Sequence, residues 1–102
     1  MSYDMTRAQY NTFVNDFIEE EESLRMEKTS DYAGPDLVFQ NFLSASNITG
    51  MPVNTCAWMF MVKHLARMKH DILNGKTVPR EVLQDIRAYC LLIGGLQHKE
   101  NE

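Results

Sequence analysis

Six residues whose side chains can do chemistry fall inside fifteen positions of this chain. Lys28, Asp31, Tyr32, Phe39, Asn41 and Phe42 all lie in KTSDYAGPDLVFQNF. A turn at Gly34-Pro35 accounts for the glycine and the proline, which supply the backbone angles that reversal needs. It demands none of the other six. Downstream stand Phe60, Lys63, Arg67, Asp85 and Tyr89. Arginine grips a phosphate through two parallel hydrogen bonds, and lysine brings a mobile point charge. A cation beside an aromatic ring suits a base and a phosphate together. The eleven residues therefore read as a binding pocket for a phosphorylated nucleotide.

Six of them also have a plainer reading. Lys63 and Arg67 fit a solvated helix face. Asp85 fits a structural ion pair, and Tyr32, Phe39 and Phe42 fit core packing. His64, His70 and His98 lack metal-ligand spacing, because positions six apart on a helix project to different faces. No metal site is expected from them. The chain has no Gly-rich phosphate loop, and Gly94-Gly95 reads as a close-packing point.

The elements that must position these residues are helices. Thr6 and Gln9 stand at capping-box spacing, with Asp4 as a second possible cap. Tyr10, Phe13, Val14, Phe17 and Leu24 then recur with helical period. Glu19 to Glu22 is a charge run in which Glu21 projects into that stripe. A second helix is expected from Leu37 to Ser44, capped by Asp36, followed by a polar loop to Met51. Pro52 opens a third, from Val53 to about Asn74, stopped by Gly75. Its expected core face is Met61, Leu65, Met68 and Ile72, widened by Trp58 and Val62, with Lys63, Arg67 and His70 opposite. Thr77 and Pro79 start a fourth, running to Leu96 before a charged tail. Val82, Leu83, Ile86, Tyr89, Cys90, Ile93 and Leu96 form its apolar arc. Asp85 lies inside that arc and needs a partner there, with Lys28, Lys63, Arg67 or a metal available.

The fold expected is all-α, a four-helix bundle-like single domain over residues 1–102. Such a chain has a thin core, and the third helix is apolar nearly all round in its first half. Self-association as a dimer or tetramer is the expected remedy. A net charge of -4 and a pI near 5.3 disfavour duplex nucleic acid, which attracts net basic faces. No stretch nears the about 20 apolar residues of a membrane span, and the N-terminus lacks a signal-peptide run. Two lone cysteines, Cys56 and Cys90, read as buried thiols of a reducing, cytoplasmic compartment.

As a combination, Lys28-x-x-Asp31-Tyr32, Phe39-x-Asn41-Phe42, Gly50, Lys63-x-x-x-Arg67 and Glu81-x-x-x-Asp85-x-x-x-Tyr89 resemble small phage proteins of the nucleotide-modification-associated, MazG-like kind. The resemblance covers residues 25 to 97. MazG-like all-α pyrophosphatases cut nucleoside triphosphates with magnesium held by an ExxE-type cluster and an ExxD pair. Here Glu19 and Glu22 have ExxE spacing, but Glu19 points away from the apolar stripe. The second pair, Glu81 and Asp85, is ExxxD. The resemblance thus implies one enzymatic alternative, a magnesium-dependent pyrophosphohydrolase acting through Glu21, Glu81 and Asp85. The positions that match best are cationic, amide and aromatic, and these bind without hydrolysing. The chain is similar in kind to small oligomeric phage proteins that sequester the cyclic dinucleotides of bacterial immunity. The leading expectation is a nucleotide sponge without cofactor, working in the host cytoplasm.

Overall fold

The computed structural model describes the backbone of residues 2–31 and 38–102, with side chains for residues 2–25 and 38–102. The described residues form four α-helices and no strand, as the all-α reading expects. They are α1 (Arg7–Asp31), α2 (Gln40–Thr49), α3 (Val53–Leu73) and α4 (Arg80–Glu100). The chain divides into two compact units, Met1–Gly34 and Pro35–Glu102.

In the first unit, α1 begins at a reciprocal capping box. The Thr6 amide donates to Gln9 Oε1 at 2.9 Å, and the Gln9 amide donates to Thr6 Oγ1 at 3.1 Å. Two amides that the helix itself cannot satisfy are thereby paired. Phe13 and Phe17, one turn apart, bring their ring centroids to 5.7 Å. Of the four glutamates from 19 to 22, only Glu21 is buried.

In the second unit α3 packs on both α2 and α4. Three cross-contacts set the antiparallel register of α3 and α4. Asn54 Nδ2 donates to both carboxylate oxygens of Glu100 at 3.0 and 3.1 Å, Cys90 Sγ meets Met61 Sδ at 3.9 Å, and His64 faces Asp85. Phe42, Ala57 and Leu96 form the buried centre, with Phe39, Val53, Phe60, Tyr89, Leu92 and Ile93 packed around it. Burying a phenylalanine side chain stabilises by roughly 2–3 kcal/mol, so Phe42 anchors α2.

Several boundaries and faces differ from the sequence expectation. The Ser44–Thr49 stretch, expected as loop, is the second half of α2. Its polar side chains bond locally, Thr49 Oγ1 donating to Ala45 O at 2.7 Å and Ser46 Oγ to Met51 O at 2.7 Å. Gly50 then ends the helix at φ 76°, its amide reaching Ser46 O. The expected Asp36 cap and the start at Leu37 lie outside the described residues. On α4 the expected charged tail from Gln97 to Glu100 is helical, held at its end by the Asn54 bond.

The core face of α3 is also rotated. At about 100° per residue, the buried and half-buried positions Val53, Cys56, Ala57, Phe60, Met61, Val62, His64, Leu65, Met68 and Asp71 centre roughly 60° from the expected line, although Met61, Val62, Leu65 and Met68 lie inward as expected. Trp58 and Ile72, expected in the core, are exposed at 49% and 59%. Cys90, expected buried, is exposed, while Cys56 is buried as expected. The rotation follows from the partners. α2 and α4 together cover the side that carries Ala57, where a small residue lets backbones approach.

Candidate functional site

Rotation of α3 brings its cations to the flank of the core face instead of its opposite side. Phe60, Lys63, His64, Arg67 and Asp71 fall within about 100° of arc. Lys63 and Arg67 form the exposed edge of that arc, and Phe60 and His64 are half-buried beside them. From α4, Tyr89 closes the inner side. Its ring centroid lies 5.2 Å from that of His64, tilted by 34°. Phe42 connects the two walls, with centroids 5.6 Å from Phe60 and 6.4 Å from Tyr89. These separations are those of tilted aromatic packing.

Two described contacts shape the electrostatics, an ion pair within α3 and a histidine–carboxylate approach between α3 and α4. Arg67 Nε donates to Asp71 Oδ2 at 2.9 Å, with the carboxylate nearly buried and the arginine half exposed. His64 Nδ1 stands 3.8 Å from Asp85 Oδ2, both side chains about a quarter exposed. Asp71 is the described partner of Arg67, and His64 is a described partner of Asp85. Of the partners expected for Asp85, Lys28 lies outside the described side chains, and Arg67 is described against Asp71 instead. The His64 contact follows from register: α3 and α4 run antiparallel, which sets Asp85 across from His64.

Phe39, Phe42, Phe60 and Tyr89 pack around one core, and Asp85 faces His64. Phe42 is only 4% exposed, which makes it core and not a stacking surface. Phe39 packs its ring end 3.4 Å from where a Cβ on Gly95 would stand, so Gly95 is the close-packing glycine and Gly94 is not. Lys63 and Arg67 lie at the rim. Asn41 is exposed and sits about 100° round α2 from Phe42. The side chains of Lys28 and Asp31, and all of Tyr32, lie outside the described residues.

For the magnesium alternative, Glu81 is exposed and Asp85 half-buried, one turn apart on α4. Among the described residues no three His, Cys, Asp or Glu side chains come together in a group able to hold a metal ion. One site residue was missed from sequence. His64 lies four positions after Phe60 and three before Arg67, a spacing that marks the same face. No described helix is long and apolar enough to cross a membrane. No protein-family model, curated protein or solved structure matches the chain.

Proposed function

We propose that this protein binds a phosphorylated nucleotide on the Phe60–Arg67 face of α3 and returns it intact. One observation carries the reading: half-buried rings and exposed cations share one arc of a single helix, beside Tyr89. The base lies against the rings, and the phosphate meets Lys63 and the Nη edge of Arg67. The Asp71 bond engages Nε, which fixes the guanidinium while leaving that edge for a second anion. A nucleotide also matches the chain's acidic balance better than a duplex does, since one small anion needs only a local basic patch.

The ligand class we favour is a cyclic dinucleotide immune signal, and the setting is sequestration by a phage protein in the host cytoplasm. This follows the resemblance to small phage proteins and the similarity in kind to nucleotide sponges. Self-association belongs to the same proposal. Trp58, Ile72 and Leu73 leave apolar surface on α3 that a second copy would cover.

The deciding experiment is incubation with ATP, cyclic AMP and cyclic di-AMP, with and without magnesium, followed by chromatography. Unchanged ligand released on heat denaturation is the expected result. Monophosphate plus pyrophosphate would establish the pyrophosphohydrolase instead, and no retention of any nucleotide would overturn the binding reading. Light scattering should give a dimer or tetramer at micromolar concentration.

A further inference from the structure

We infer that His64 is a further ligand-binding residue of the nucleotide face proposed above, and that Asp85 acts by positioning it. The inference rests on that reading and extends it to a residue that the spacing of cations does not point to. His64 lies between Phe60 and Arg67 on the inner flank of the arc, with a fifth of its side chain exposed. Its ring is held from two directions by α4. Asp85 Oδ2 stands 3.8 Å from Nδ1, and the Tyr89 ring packs at 5.2 Å. A carboxylate at one nitrogen orients the imidazole and leaves Nε2, across the ring, for a second partner.

The chemistry of that second partner follows from the neighbours. Lys63 is the adjacent residue and Arg67 lies one turn on, so an anion at the rim has His64 as its inner contact. An imidazolium donates from both nitrogens. With a phosphate oxygen at Nε2 and Asp85 at Nδ1, the ring bridges two anions. The 3.8 Å separation is longer than a hydrogen bond. Such contacts commonly tighten when the ligand arrives. Asp85 therefore contributes to binding through His64 without touching the phosphate.

The test is calorimetric titration of the full chain. The probe is whichever of ATP, cyclic AMP and cyclic di-AMP the unaltered protein binds most tightly. His64→Phe keeps a ring against Tyr89 and removes both nitrogens; it should weaken binding by about tenfold to a hundredfold with an unchanged thermal melt. His64→Gln sets an amide donor near the position of Nε2 and should bind within about threefold of the unaltered chain. Asp85→Asn should weaken binding in the native background and have no further effect in the His64→Phe background. If His64→Phe does not fold, His64→Asn, whose amide is too short to reach, replaces it.

Native-like binding by His64→Phe overturns the inference, as does a Gln variant as weak as the Phe variant. An equal Asp85→Asn effect in both backgrounds overturns the positioning role. Where Arg67→Ala weakens binding and His64→Phe does not, this inference falls and the nucleotide face stands. If the unaltered chain binds none of the three probes, both fall.

Discussion

Arg67 donates from Nε to Oδ2 of Asp71 at 2.9 Å, one helical turn away, and the carboxylate it reaches is only 5% exposed while the arginine is 56% exposed. The pair is thus lopsided. Asp71 depends on Arg67 for its charge balance far more than Arg67 depends on Asp71. Under the proposed function, the planar fork of arginine serves a carboxylate through one edge and a phosphate through another.

Arg67→Ala should then act on two properties at once. Loss of a charge-assisted phosphate contact should weaken nucleotide binding by about a hundredfold. Stranding Asp71 should lower stability by about 1–2 kcal/mol, below the range for a fully buried pair because water reaches the arginine. Titration calorimetry and thermal melts on the same preparation separate the two. A stability loss with undiminished binding would leave Arg67 as a structural residue only.

Phe42→Ala should cost about 3–5 kcal/mol, since Phe42 is 4% exposed and bridges Phe60 and Tyr89. In a domain this size that loss approaches the whole of its stability. Urea denaturation measures it. A variant nearly as stable as the parent would mean that the ring does not anchor α2.

Gly75→Ala should destabilise by about 1 kcal/mol. Gly75 sits at φ 67°, and a Cβ is disfavoured there. Its amide reaches Ile72 O at 3.2 Å while the Lys76 amide reaches Asp71 O at 2.8 Å, a Schellman ending of α3. Thermal melts would show it. An unchanged melting temperature would argue that another residue terminates the helix as well.

Gly94→Ala should move stability the other way, by about 0.5–1 kcal/mol, because no described residue lies within 4 Å of the added Cβ and alanine favours helix. Gly95→Ala makes the informative contrast. It gains the same propensity but must accommodate Phe39 at 3.4 Å. Chemical denaturation of both should rank Gly94→Ala as the more stable variant.

The helical class and most of the punctuation can be read from local signals alone. Thr6 and Gln9, Pro52, Gly75 and Pro79 act within a turn of their own position, so their signals survive without knowledge of the fold. Clustering of Phe39, Phe42, Phe60 and Tyr89 was legible for a similar reason, since aromatic residues at helical spacing seek a common core. The Ser44–Thr49 half of α2 was not. Short polar residues favour turns, and there the local bonds of Ser46 and Thr49, together with packing through Phe42, override that preference.

Tertiary structure alone decided which side of α3 faces inward. Its pattern is apolar over so much of the helix that Trp58 and Ile72 compete with Ala57 and Phe60 for burial. Only the approach of α2 and α4 resolves the choice, by roughly 60° of rotation. The pairing of His64 with Asp85 follows from that choice, whereas Arg67 and Asp71 pair at i,i+4 within α3. Partners on one helix can be enumerated from spacing. Partners across helices depend on register, which the Asn54–Glu100, Met61–Cys90 and His64–Asp85 contacts set only once α3 and α4 have packed.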